Sequence, residues 1–314
     1  MTIGISLQNG LEAVVLIDTR KLNGQNISDS VRKAGQVQGA FPSVLFGIGE
    51  EGIIRETTRR FNRAQSSSYD AAIEQVFEYL RSEIDRLDAR NLSAITSQAQ
   101  KISSAYPEPN RRAQILDFET TQGIQNLKQQ SVNDYRQNTH FGLVGFDNEE
   151  NRIRQAIIYP HNFVNYDAAH MELGSVKEAV FSSLGLKLSG VDTTKLSVPQ
   201  MAHFVVNAYT SATTAYTVGG VPLIGIVREE GTQFLSDDTS TALMNASGAY
   251  QSGFALFPIA EQLHAFEEGM AGNYARISTH VKMDVEMLTR MPTRYADWQM
   301  RVNADVFPRL SPEN

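Results

Sequence analysis

Ile3-Gly4-Ile5-Ser6-Leu7, the turn Gln8-Asn9-Gly10, and Glu12-Ala13-Val14-Val15-Leu16-Ile17-Asp18 form the stretch from which the fold is read. Two β-branched, apolar runs separated by Asn-Gly give the strongest short-range hairpin signal, because both residues tolerate the positive φ that a tight turn requires. The chain therefore opens in an antiparallel strand pair. Working outward, Ser43-Val44-Leu45-Phe46 reads as a third strand. Gly47-Ile48-Gly49-Glu50-Glu51-Gly52 follows it and leads into a helix over Ile53 to Phe61. Ser67 and Asp70 read as a capping box, and Ile73, Val76, Phe77, Leu80, Ile84 and Leu87 recur at helical spacing.

Beyond residue 96 the period is lost. Twelve of the 42 residues from Ser97 to Asn138 are Asn or Gln, and Pro107 and Pro109 interrupt the run, so 97–138 reads as a polar, partly helical insertion. Strand text resumes at Phe141 to Phe146, turns at Asp147 to Asn151 and returns over Ile153 to Tyr159. A helical run opens at Gly174, and a second starts at the capping box of Ser197 and Gln200 and carries Met201, Phe204, Val205, Ala208 and Ala212. Val221 to Val227 and Thr232 to Leu235 close another strand pair, and 239–314 reads as a helical C-terminal extension. Hairpins segregated from helix pairs predict two antiparallel sheets with helices outside, an α+β arrangement and not the alternation of a parallel sheet.

Composition removes several classes of function. The 314 residues carry 28 basic and 35 acidic side chains, and 16 of the acidic but only 10 of the basic ones lie after residue 157. With no basic stripe to neutralise phosphates, nucleic acid is not expected as a partner. The absence of cysteine excludes disulfides, zinc–thiolate sites and a thiol nucleophile. The longest purely aliphatic run, Ala13 to Ile17, is far short of the roughly 20 residues that span a bilayer. No signal peptide is read at the N-terminus, so a cytoplasmic protein without a membrane partner is expected. The six histidines show no metal-ligand spacing, and neither a metal nor a cofactor is expected. Gly47-x-Gly49-x-x-Gly52 matches a dinucleotide fingerprint, yet Glu50 and Glu51 would put two carboxylates where the pyrophosphate belongs. A glycine-rich turn of this kind can instead offer backbone N–H groups to an oxyanion.

Thr2 stands directly after Met1, a junction that methionine aminopeptidases trim. A terminal threonine carries both a hydroxyl nucleophile and an α-amine whose pKa of about 7.7–8.0 lets it act as a base. Thr2, then Asp18-Thr19-Arg20, then Lys33 after Ser28-Asp29-Ser30-Val31-Arg32, then Gly47-Ile48-Gly49, resembles the catalytic half of proteasome β-subunits and of the related bacterial ATP-dependent threonine peptidases, both N-terminal-nucleophile hydrolases. Leu173-Gly174-Ser175 resembles the family's Gly-Ser-Gly helix start, and Tyr216 to Gly220 its late Gly-Gly strand entry.

The resemblance implies a four-layer α-β-β-α sandwich over residues 1–96 and 139–238. It implies Thr2 as nucleophile, Asp18 and Lys33 as the pair tuning its amine, Gly49 N–H as oxyanion donor, Ser175 as support for the terminal amine, and Arg20 as structural. It implies a peptide or protein substrate, a ring-type homo-oligomer and room for an ATPase partner. Thr213, Thr214 and Ala215 stand where the family has an acidic residue, and Val176 replaces the second glycine of Gly-Ser-Gly. These departures keep a second reading in view, that of a catalytically silent proteasome-like scaffold or assembly protein. Nucleotide binding at the glycine turn is a third.

Overall fold

The computed structural model describes residues 3–19, 21–23, 26–28, 34–37, 41–64, 66–130, 138–174, 180, 184–185, 187–212 and 220–251. The chain opens as β1 (Ile3–Gln8) and β2 (Ala13–Ile17), antiparallel across the expected turn. There Gly10 has φ +98°, and Asn9 Oδ1 accepts the N–H groups of Leu11 and Glu12. The short strands β3 (Lys21–Asn23) and β4 (Asn26–Ser28) pair with each other. Next come β5 (Ala34–Val37), β6 (Ser43–Ile48) and the helices α1 (Glu51–Phe61), α2 (Tyr69–Ser104) and α3 (Pro109–Gln130). Four strands follow: β7 (His140–Asp147), β8 (Arg152–Ile158), β9 (Phe163–Tyr166) and β10 (His170–Gly174). The described chain ends in α4 (Val198–Ala212), β11 (Leu223–Arg228), β12 (Gly231–Phe234) and α5 (Asp237–Gln251).

The strands form two five-stranded antiparallel sheets, β10-β1-β2-β11-β12 and β5-β6-β7-β8-β9. A strand covered on both faces reads as a continuous apolar run, and β2 is one. Val14 and Leu16 join a cluster with α4 residues such as Met201, Val205 and Tyr209, while Ala13, Val15 and Ile17 join a second cluster with Val44, Phe46 and Val144 of the other sheet. A third cluster packs Leu45, Phe141 and Leu143 against Ile53 and Ile54 of α1 and Ile73, Val76 and Leu80 of α2. β1 alternates: Ile3, Ile5 and Leu7 face the helices, and small Gly4 and Ser6 face the second sheet. There Ser6 Oγ donates to Gln155 Oε1, and Gln155 Nε2 donates to Ala168 O at 3.0 Å, a polar bridge inside an otherwise apolar interface.

Local signals hold with small shifts. The cap of α2 is Ser68, one residue after the expected Ser67, and its hydroxyl accepts Ala71 N–H at 3.3 Å. At α4 the capping box closes as read, Ser197 N–H donating to Gln200 Oε1 at 2.9 Å and Gln200 N–H to Ser197 Oγ at 3.4 Å. Where the sequence period fades, α2 runs on to Ser104 and turns into α3, so most of 97–138 is helical. The helices meet closely: a Cβ on Gly123 would come within 2.5 Å of Ile95. Of 239–314, the residues up to Gln251 belong to α5, and the apolar positions expected in 254–266 and 277–288 lie outside the described residues. No described helix is long and apolar enough to cross a membrane.

Candidate functional site

Asp18 continues β2 by one residue, and its carboxylate is fully buried. Oδ1 accepts the N–H of Ile3 at 3.1 Å, and Asp18 N–H donates to Ile3 O at 3.0 Å. The side chain thus extends the β1–β2 ladder past its last backbone pair. Thr19 Oγ1 donates to Val221 O at 2.9 Å and anchors the exit of that strand beside β11. On its other side Ile3 pairs with Gly174, the last residue of β10, at φ +121°. The first described residue of the chain is therefore held between Asp18 and Gly174. Thr2 and Ser175, adjacent in sequence to Ile3 and Gly174, and Lys33 and Arg20 lie outside the described residues.

Gly49 directly follows β6 on the neighbouring sheet. Its φ of +117° is one that side chains resist, and a Cβ would sit 2.5 Å from Asn138 O, Thr139 Cα and Thr139 Oγ1. Glu50 N–H donates to Thr139 Oγ1 at 3.0 Å, and Glu50 caps α1, its Oε2 accepting Ile53 N–H at 2.8 Å. Glu50 thereby fills the helix N-terminus that a pyrophosphate would need. Gly47 is explained by packing, since a Cβ there would meet Phe141 and Ile54 at 2.7 and 2.8 Å.

The two sheets bring these strand ends to one end of the interface. Gly4 lies against the Phe46 ring, and Ala34 pairs with Phe46 across β5–β6. Ile17, Ala34, Ile48 and Leu173 all belong to the inter-sheet cluster. Ile17 precedes Asp18, Ala34 follows Lys33, Ile48 precedes Gly49, and Leu173 stands two residues before Ser175. Of the five residues singled out by the sequence, Asp18 and Gly49 are thus placed at one edge of the inter-sheet interface.

Thr139 went unread in the sequence because its only local signal is a threonine before a strand. His203 is buried in α4. There Asn207 Nδ2 lies 3.1 Å from its ring nitrogens and donates to its carbonyl at 2.8 Å. Burial, aided by the charge of Lys187, drives its pKa down to about 3, so the ring is neutral. Among the described residues no cluster of three or more His, Asp or Glu side chains is arranged to hold a metal. A cleft of about 500 Å³ lies at the opposite end of β2, lined by Glu12, Arg228, Glu230, Thr232 and Gln233, with an Arg228–Glu12 ion pair at 2.7 Å. It is separate from Asp18 and Gly49.

No protein-family model and no curated protein sequence matches the chain. Solved structures do. Anbu from Yersinia bercovieri, described as an ancestral beta-subunit, aligns at 16% identity and TM-score 0.53 over 82% of this chain and 97% of its own. The helical assembly of the Anbu complex from Pseudomonas aeruginosa aligns at 14% and 0.52, over 80% and 94%. Anbu from Hyphomicrobium sp. strain MC1 aligns at 16% and 0.50, over 81% and 97%. At these identities the likeness is one of fold: the mixed α/β chain with its antiparallel sheets is folded as the Anbu proteins are.

Proposed function

We propose that the chain is a threonine-type amidohydrolase acting on peptides, with Thr2 as its nucleophile once Met1 is removed, in a four-layer α-β-β-α sandwich formed by 1–96 and 139–238. The polar 97–138 insertion and the 239–314 extension are added to that body. The three apolar clusters, helix on sheet, sheet on sheet and sheet on helix, support the layering. The observation that carries the chemistry is the junction at Ile3, gripped by the buried Asp18 carboxylate on one side and paired with Gly174 on the other.

Thr2 Oγ attacks the substrate carbonyl carbon, and its proton passes to the Thr2 α-amine. The oxyanion takes a hydrogen bond from Gly49 N–H. The C–N bond breaks as the proton moves to the leaving amine, and an acyl ester remains on Thr2. Water repeats the sequence, releasing a carboxylic acid and restoring Thr2. Lys33, held by Asp18, keeps the amine neutral between steps because a neighbouring cation disfavours a second positive charge. Ser175 supports the amine by hydrogen bonding.

The test begins with the intact mass. Thr2 is expected as the mature N-terminus, and a peptide boronate or epoxyketone is expected to form a covalent adduct with it. Thr2→Ala and Lys33→Ala should each abolish this labelling. Asp18→Asn with Lys33→Met is the folding control, since Asp18 left buried without its cation would be destabilising by several kcal/mol. A Lys33→Ala variant that folds and labels at the wild-type rate removes Lys33 from the mechanism. A wild type that never labels although Thr2 is free favours the second reading, a silent proteasome-like scaffold. That reading draws on α2 and α3, helices of 36 and 22 residues that pair with each other beyond the sheets, and on the helical assembly formed by Anbu of P. aeruginosa. Homo-oligomerisation belongs to both readings.

A further inference from the structure

We infer that Thr139 is a positioning residue for the Gly49 oxyanion donor, an inference that rests on the Thr2 mechanism proposed above. Thr139 is fully buried and stands immediately before β7, and its Oγ1 accepts Glu50 N–H at 3.0 Å across 89 residues of sequence. The β6–β7 ladder ends at the Ile48–His140 pair, so sheet pairing stops one residue short of Gly49. A glycine released at that point would be free to turn, and a donor useful for catalysis must already point at the developing charge.

Both of its neighbours are tied. Ile48 is held by the last strand pair, and Glu50 N–H is held by Thr139. The peptide unit is planar, so fixing Ile48 and the Glu50 nitrogen brackets the φ and ψ of Gly49 from both sides. The Asn138–Thr139 backbone closes the remaining space, leaving no room for a Cβ at Gly49. Glu50 N–H is itself consumed by the contact, which leaves the oxyanion to the Gly49 N–H. Thr139 acts through this turn and touches no substrate.

The experiment deletes the Thr139 hydrogen bond from each side. Thr139→Val keeps the shape and loses the acceptor. Glu50→Pro loses the donor at a residue whose φ of −74° suits proline, with Glu50→Ala as the control for the lost cap carboxylate. Two readouts are taken on the full chain: hydrogen exchange at the Glu50 amide, and covalent labelling of Thr2 by a peptide boronate or epoxyketone at varied probe concentration. Thr139→Val should speed Glu50 exchange at least tenfold and slow maximal labelling at least tenfold, with half-saturation unchanged within twofold. Thr139→Ser should restore both, and Glu50→Pro should slow labelling well beyond Glu50→Ala. Labelling at the wild-type rate in folded Thr139→Val, a loss that Thr139→Ser does not restore, or an effect on half-saturation alone overturns the inference and leaves the enzyme standing. Where Thr139→Val does not fold, the Glu50→Pro and Glu50→Ala pair decides: equal rates overturn the inference. A wild type with free Thr2 that is never labelled overturns the enzyme, and this role with it.

Discussion

Phe46 shows how single residues set the spacing of the two sheets. Its ring fills the space that side chains at Gly4 on β1 and Gly142 on β7 would occupy, so both glycines are fixed by a neighbour and not by their dihedrals. Gly4→Ala is expected to destabilise by about 1–3 kcal/mol through overpacking. Combined with Phe46→Leu, it should cost less than the sum of the two single changes by about 1 kcal/mol. Urea unfolding of the four proteins measures the coupling, and strict additivity would mean that the ring and the glycine do not share the space. Asp18 makes a different demand. It is buried and receives Ile3 N–H, so Asp18→Ala leaves a buried donor without its acceptor and should cost about 1–3 kcal/mol. Protection of the Ile3 amide should fall with it in hydrogen exchange, and an unchanged protection factor would contradict the contact.

At the scale of elements, β10 carries a pH dependence. Met171 and Leu173 enter the inter-sheet cluster, which turns His170 and Glu172 to the opposite face, with Nε2 3.3 Å from Oε1. The Glu172 side chain is only 6% exposed, and burial pushes its carboxyl up to about 7, while burial pushes His170 down. Both groups are favoured neutral. For a carboxyl raised in the folded state, the stabilising contribution is complete below its ordinary value and is lost as pH rises through the folded value. Wild type should therefore lose up to about 3 kcal/mol relative to Glu172→Gln between pH 5 and 8. Thermal melts across that range test it, and parallel Tm curves for the two proteins would remove the shift. Helices α1 and α2 are joined by a second buried carboxylate, Glu83, which lies 2.7 Å from both Arg60 and Arg86. Arg60 is partly exposed, so solvent screening limits its share. Arg60→Ala should cost about 1–2 kcal/mol, less than the 3–5 typical of stripping a buried ion of its partner, because Arg86 remains.

For the whole molecule, the expected outcome is assembly: light scattering should return a multiple of 34.8 kDa, and a clean monomer would remove the ring. What the sequence determined by itself is the part that local chemistry specifies. The Asn9-Gly10 turn, the doubly apolar β2, the glycines before α1, the β7–β8 hairpin and the Ser197 capping box are each decided within about ten residues, where turn geometry and hydrophobic period act directly. Asp18 and Gly49 were singled out through the family resemblance, while local chemistry marked only the strand end at Asp18 and the glycine turn around Gly49. Other features are invisible at that range. The half-buried stripe of α3 interrupts Ile115, Leu116, Ile124 and Leu127 with Glu119, Thr120 and Gly123, so burial there leaves only a broken apolar period. β9 is exposed along its whole length, and only pairing with β8 makes it a strand. Which strand lies beside β1 was a tertiary decision, since β10 reaches it from more than 160 residues away to set Gly174 against Ile3. So was the seating of Thr139 on the Gly49 turn, because a hydrogen bond between chain segments 89 residues apart exists only once the β6–β7 register has closed the loop between them.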